Sequence, residues 1–490
     1  MRPDRPARGR GLGVADRAPP EAASADPVGD SLAELVAFRA DLLGCLTRRG
    51  DALFELTDAM LCSQGPVSSP VELCLEPEFR RGHGSVYAAL HRGRIDAAAL
   101  RRLLVGQLAP ARPGQPLMFG IDTTPLARPD ATFADSRTMV QVRGKGGDVF
   151  LPGWSYSMVV GIGWGSSSWV DPVEARRLAP DDEHTAVTVA QVRDLLADLA
   201  ATGKQLPAAA PPLVLLDAGN DPSALAHELS SEHVQLLVRL NRKRVFYTDP
   251  GSRLPGQRGA PRRHGHRLAL SDPDHALTPD LELTATSERY GTVRVQAWHH
   301  LHQQLGRDGH WATWPPEAEL PIVAGTIIRI RVEHLPGGRT PDKDVWLFHA
   351  APPGSQPDID LLWKAYLRRF DQEHFHRFVK VYLGLRAAHL SSAEATDRWV
   401  QLALAGYAQL RIASTLAADT SRPWHPKPTP GAIATPYRTR LGFRRLRAQL
   451  GTPTQPARNS RPGPGRPKGS TNRPKAPCPP HRKTTKTDSS

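Results

Sequence analysis

The stretch TAVTVAQVRDLLADLAATGKQLPAAAPPLVLLDAGN, residues 185–220, decides the fold class. Its first part carries apolar residues at helical spacing and reaches Gly203 where a helix C-cap belongs. Its second part, PLVLLDAGN, is a short apolar run that closes on Asp217. Such a run without alternation reads as a buried strand. Upstream, QPLMFGID (115–122) and SYSMVVGIGW (155–164) have the same texture, and downstream VQLLVRLN (234–241) repeats it. Strands that alternate with a helix indicate an α/β core beginning over residues 113–241.

On the N-terminal side, SLAELVAFRADLLGCL and DALFELTDAML are helical in period and are followed by breakers at Gly65, Pro66 and Pro70, which predicts a helical domain over residues 31–112. Within it, RGHGSVYAALHRGRID (81–96) offers a glycine-rich turn leading into a basic helix, the arrangement of a helix-turn-helix reader. After residue 241 the texture becomes β-rich (LELTATSERYGTVRVQAW, AGTIIRIRVEHL), so 242–340 reads as an insertion. The strand VWLFHA (345–350) and one long helix from about Asp358, an N-cap, to Gly384 then complete the core over 341–390. A C-terminal helical region occupies 391–450.

Charge separates the ends from the middle. Of 63 Lys+Arg against 49 Asp+Glu, net +14, sixteen basic residues and only Asp488 fall between Arg422 and Ser490, which leaves residues 1–421 near neutral. Fourteen prolines in the same tail predict a disordered basic segment over 451–490, and residues 1–30 read the same way. No run of 18 apolar residues occurs and the N-terminus lacks an apolar core, so neither a membrane span nor a signal peptide is expected. Cys45, Cys62, Cys74 and Cys478 show no CxxC pairing and no histidine at zinc-finger spacing, and read as reduced thiols. A cytoplasmic, basic-tailed protein of globular composition points to nucleic acid as partner.

Three acids are candidates for chemistry: Asp122 and Asp217, each closing a core strand where α/β folds place their sites, and Glu373 in the long helix. At about 100° per residue, Tyr366, Arg369, Glu373 and Lys380 fall within about 60° of one another on that helix. Such a face also suits a solvated surface with an Arg369–Glu373 pair. Asp358 with Asp360 suits helix capping, Asp371 points away from that face and Asp221 lies four residues past Asp217, so none of the four is expected to be a ligand, and Asp130 and Asp135 read as solvated loop residues.

The segment YLRRFDQEHFHRFVK fits Y-x2-R-x3-E-x6-K at Tyr366, Arg369, Glu373 and Lys380, and with GIDTTP, LLDAGND and LLVRLNRKR in order it resembles the DDE-type transposases of bacterial insertion sequences, in the Tyr-Arg-Glu-Lys group. The resemblance runs over roughly residues 31–420. It implies an RNase H-like core in which Asp122, Asp217 and Glu373 are both catalytic and metal-binding, holding two Mg²⁺ ions, with Mn²⁺ able to substitute. Two ions about 3.5–4 Å apart stabilise attacking and leaving oxygens together, and three mutually repelling carboxylates gain their logic from such a pair. Asp122 would bridge both ions, Asp217 take one and Glu373 the other. By the same resemblance Arg369 and Lys380 contact phosphates and Tyr366 stacks on or hydrogen-bonds to the strand end. The implied partners are the element's terminal repeats and target DNA, on a dimer that pairs two ends near the nucleoid.

Two further DNA surfaces are expected. The run 239–267, including Arg242, Lys243 and Arg244, holds nine Lys/Arg against Asp249. In the tail, PGPGRPKGS has an AT-hook-like core with Arg466 and Lys468, suited to the narrow minor groove of A·T tracts. The histidines of AWHHLHQQ (297–304) read as a surface run rather than a metal cluster. Two rival functions stay open: a non-catalytic, domesticated or decayed DNA-binding relative, and an RNase H-like nuclease with no joining step.

Overall fold

The computed structural model describes residues 27–111, 114–144, 147–165, 167–205, 209–251, 260–272, 277–335, 338–341, 343–417, 433–457, 467–470 and 476–482. Its centre is a mixed sheet of twelve strands among the described residues. They are β1 (Met118–Ala127), β2 (Thr138–Gly144), β3 (Gly147–Ile162), β4 (Val170–Leu178), β5 (Leu213–Leu216), β6 (Gln235–Arg239), β7 (Val245–Tyr247), β8 (Arg267–Ala269), β9 (Leu281–Ser287), β10 (Gly291–His302), β11 (Ala324–Val332) and β12 (Val345–Ala350). The order is β2-β3-β1-β5-β6-β12-β11-β10-β7-β8, with β4 also on β3 and β9 on β10. β1 is antiparallel to β3 but parallel to β5, and β5 is parallel to β6.

Side-chain alternation explains why these strands are central. Met118 of β1, Met158 and Val160 of β3, and Leu213 and Leu215 of β5 enter one core. Phe119, Ile121, Val159, Val214 and Leu216, pointing the other way, enter a second. Strands buried on both faces need cover on both. The second core is closed by α5 (His184–Ala201) and α6 (Pro222–Glu228), through Val192, Leu195, Leu199 and Leu225. α5 ends as its sequence predicts, with Gly203 at φ 66° just past the last turn, and at its start Glu183 accepts from the Thr185 and Ala186 N–H groups.

The first core is covered by helices from both ends of the chain. α1 (Pro27–Cys45), α2 (Gly50–Cys62), α3 (Gly84–Arg92) and α4 (Ala97–Gly106) pack with α9 (Ala393–Ile412) and α10 (Pro436–Leu450), and α9 lies against β4. The helical segments expected as separate N- and C-terminal units therefore share one interior. The β-rich stretch after β6 likewise builds no sheet of its own; β12 joins it to β6 as a continuation.

The tail departs from expectation at two places. Thr454 is buried, receives the Arg80 guanidinium and donates to Glu55. Farther on, the Cys478 and His481 N–H groups donate to the carbonyls of Thr132 (2.8 Å) and Arg137 (2.6 Å), and the buried Arg137 guanidinium donates back to the Cys478 carbonyl. These segments are held by backbone hydrogen bonds, which proline-rich composition does not forbid at the residues between prolines.

α7 (Ile359–Arg368) and α8 (Phe370–Val381) complete the cover. Beyond α8, Gly384 takes φ 69°, and a Cβ there would lie 2.7 Å from Val67 Cγ1 and 2.8 Å from the Val67 carbonyl oxygen. Gly384→Ala is expected to lower stability by about 1–3 kcal/mol, from a left-handed backbone combined with a steric clash, read as a lower urea midpoint with unchanged slope.

Candidate active site

The parallel register between β1 and β5 pairs Ile121 with Leu216, so the next residues, Asp122 and Asp217, stand side by side: Asp217 just past the end of β5, as expected, but Asp122 within β1, which pairs on with β3 as far as Ala127 and is not closed by it. Asp122 continues β1, and its Oδ1 accepts from the Thr123 N–H at 2.9 Å. Asp217 opens the turn DAGN, with Oδ1 accepting from the Gly219 N–H (3.0 Å) and Asn220 Nδ2 (2.9 Å). In both carboxylates the hydrogen bonds fall on Oδ1, and among the described residues none falls on Oδ2.

The third acid arrives on a helix that breaks where the sequence predicts continuity. Arg369 separates α7 from α8, with i→i+3 bonds from the Arg369 N–H to the Tyr366 carbonyl and from the Gln372 N–H to the Arg369 carbonyl. This tighter turn replaces the single helical wheel expected over residues 358–384. Arg369 consequently pairs with Asp122 (NH2 to Oδ2, 3.9 Å), not with Glu373. Asp371 is buried and pairs with Arg368 at 2.5 Å, Asp358 caps α7 as the sequence suggests, and Asp221 caps α6. Gly120 lets α8 come close, since the buried Gln372 side chain occupies the space a Cβ at 120 would need.

Asp122, Glu373, His376, Arg377, Lys380 and Arg386 line one open cleft of about 320 Å³. Glu373 is exposed at its rim, whereas Asp122 is largely enclosed. Burial raises the Asp122 pKa, Arg369 opposes that, and Asp217 adds to it, which shows the two aspartates within electrostatic reach. Tyr366 is buried at 8% exposure, and its hydroxyl, whose pKa is raised mainly by burial, also feels Arg239, Arg369, Asp217 and Glu373. A Tyr366 so enclosed does not present a stacking face, contrary to the role the resemblance implies for it. Lys380 is half-buried, its pKa lowered by burial and by Arg386 and sustained by Asp122.

Thus Asp122 meets Asp217 and Arg369, while Glu373 and Lys380 share its cleft. Among the described residues no three His, Cys, Asp or Glu side chains come together closely enough to hold a metal ion. Arg242 and Lys243 are exposed in the turn after β6, but Arg244 is turned inward and donates to Gln303 Oε1 at 2.8 Å. Lys468 is exposed; Arg466 lies outside the described residues.

Sequence reading missed two histidine arrangements. His376 is buried, with Nδ1 3.0 Å from Thr124 Oγ1 and Nε2 3.7 Å from Asp122 Oδ2. Burial first, then Lys380 and Arg369, brings its pKa down to about 3, so the ring is neutral. In AWHHLHQQ, β10 bulges between Trp298 and Leu301, His300 takes φ 55°, and His302 is fully buried against His264 (2.9 Å), so that run is not simply surface.

With this geometry established, the family assignment follows. The chain belongs to the DDE superfamily endonucleases, whose pattern matches residues 41–304, more than half its length. It is therefore an enzyme of a family that acts on DNA. The match spans Asp122 and Asp217 and ends before α7, so Tyr366, Arg369, Glu373 and Lys380 lie beyond it. No curated protein matches the chain. Among the described residues no helix is long and apolar enough to cross a membrane.

Proposed function

We propose that the chain is a transposase that binds the ends of a mobile element, cuts a strand there and joins the freed 3′-hydroxyl to target DNA. The observation that carries this reading is the register that sets Asp122, within β1, beside Asp217, just past the end of β5, with Glu373 sharing the Asp122 cleft. The strand order β4-β3-β1-β5-β6, antiparallel as far as β1 and parallel from there, is compatible with an RNase H-like core, with β7 to β11 as the insertion.

Endonucleases of this superfamily generally use divalent metal ions. By its chemistry the donor set suits such a cation, which would have to draw Asp122, Asp217 and Glu373 closer together than they stand here. Carboxylate oxygens are hard ligands, Asp122 and Asp217 each keep Oδ2 free of hydrogen bonds among the described residues, and the ion pair of Asp122 with Arg369 is a loose one at 3.9 Å. Asp122, Asp217 and Glu373 would hold Mg²⁺, or Mn²⁺ in its place, and the ions would supply charge stabilisation for phosphodiester cleavage. The chain's other groups position DNA. Arg377, Lys380 and Arg386 offer charge-assisted contacts to phosphates entering the cleft, Arg369 stands next to Asp122, and Arg242 and Lys243 extend the basic surface. Two ends cut in concert call for two active sites, hence a dimer.

The test is an end-labelled duplex carrying the inverted repeats that flank the coding sequence, incubated with protein and Mg²⁺, Mn²⁺ or a chelator. Nicking that needs metal, followed by joined product, is the expected result. Nicking without joining would reduce the protein to a nuclease, and binding without nicking would make it a non-catalytic DNA-binding relative. Lys380→Ala is expected to weaken duplex binding and to lower the slope of log affinity against log salt by about 1.

A further inference from the structure

We propose that His376 is a positioning residue: its imidazole, fixed by Thr124, holds the Asp122 carboxylate in the orientation that receives metal. The proposal rests on reading Asp122 as a metal-binding carboxylate.

Asp122 and Thr124 are two apart on β1 and so share a face of that strand. His376 lies three residues past Glu373, close to one turn along α8. An Asp-x-Thr on the strand thereby meets a Glu-x-x-His on the helix. Thr124 is 1% exposed and His376 6%, so water does not serve either group freely. The Thr124 hydroxyl and His376 Nδ1 are 3.0 Å apart. His376 Nε2 has no hydrogen-bond partner among the described residues, and Asp122 Oδ2 stands 3.7 Å from it.

The neighbours select the tautomer. If Nδ1 carried the hydrogen, the Nε2 lone pair would face a carboxylate oxygen, an unfavourable approach of two acceptors. With the Thr124 hydroxyl donating to Nδ1, the hydrogen sits on Nε2 and is directed at Oδ2. A buried N–H without a partner is costly, so the ring is placed to be satisfied by a carboxylate that moves a fraction of an ångström. Arg369 approaches the same oxygen with a charge; the His376 N–H would take one lone pair of Oδ2 and leave the other to the cation. Groups that orient a ligating side chain typically change metal affinity or activity by about 10- to 100-fold when removed.

The experiment measures Mn²⁺ binding to metal-free protein from the electron paramagnetic resonance signal of free Mn²⁺, together with the Mn²⁺ concentration for half-maximal nicking. His376→Phe keeps the ring and removes both nitrogens; it is expected to weaken Mn²⁺ binding about tenfold. His376→Gln, which returns an N–H near the Nε2 position, should recover most of that loss. Thr124→Val, nearly isosteric, should shift binding in the same direction while Thr124→Ser does not, and this pair carries the test if His376→Phe fails to fold. Wild-type binding in both His376→Phe and Thr124→Val would overturn the proposal, as would a His376→Gln no better than His376→Phe. A wild-type protein that takes up no Mn²⁺, or an Asp122→Ala variant that binds it as well as wild type, would instead overturn the metal reading of Asp122.

Discussion

Asp122→Asn is expected to abolish strand cleavage and to make the protein more heat-stable at neutral pH in the presence of a chelator. The loss of cleavage follows from the position of Asp122: it is the acid that neighbours Asp217 and shares a cleft with Glu373, and an amide cannot replace a carboxylate as a hard anionic ligand. Removal of one member of a catalytic set that works as a unit typically costs about three orders of magnitude or more. Duplex binding should persist, because Arg377, Lys380 and Arg386 remain. The stability gain follows from burial, the largest influence on Asp122, which raises its pKa over the opposition of Arg369. An acid whose folded pKa is raised destabilises the fold when ionised. That cost is absent below the unfolded value, near 3.9 for an aspartate, and grows as pH rises through the folded value. In chelator, calorimetric scans from about pH 4 to 7 should show the variant's melting temperature overtaking the wild type by roughly 1–3 °C. A variant that is inactive and also less stable at pH 7 would identify Asp122 as a structural acceptor. An active variant would remove it from the site.

The parts of this site differ in how far sequence discloses them, and the difference is physical. Strand β5 and its closing Asp217 were readable because a four-residue apolar run between helix α5 and the turn DAGN has few other interpretations. The α/β class followed from that alternation. The break at Arg369 was not readable, since no glycine or proline marks it; it is set by α8 packing on β1, with Gln372 against Gly120. His376 was hidden for a related reason: its value lies in Thr124, 252 positions away, which only the fold brings to it. The shared helical interior was equally invisible, because period and breakers define helices but not which ones meet. Buried charge is what betrays that meeting in the structure, through Arg39, Asp58 and Arg447.

Asp58→Ala is therefore expected to cost about 3–5 kcal/mol, a large share of the 5–15 kcal/mol that stabilises a typical domain. Asp58, on α2, is fully buried and accepts both guanidinium nitrogens of Arg39 from α1, NH1 at 2.6 Å and NH2 at 2.9 Å. Its Oδ2 also accepts from Arg447 Nε of α10 at 3.1 Å. Arg39 in turn donates to Gln409 of α9 at 2.8 Å and lies over the Phe54 ring. One carboxylate thus ties helices from both ends of the chain. Alanine would strand the Arg39 charge at 3% exposure with only amide and carbonyl acceptors, and a charge so enclosed cannot recover its hydration. Replacing all three partners with apolar residues of similar volume, Arg39→Met, Asp58→Leu and Arg447→Met, should recover most of the loss, because the pair's attraction mainly offsets its own desolvation. Urea unfolding followed by far-ultraviolet circular dichroism and by thiol reactivity of the buried Cys45 and Cys62 provides the measurement. A coincident shift of both signals to lower urea is expected, since α1, α2, α9 and α10 enclose one interior. Two separate transitions, with only one moved by Asp58→Ala, would show instead that the N- and C-terminal helices fold as independent units and that the carboxylate serves only one of them.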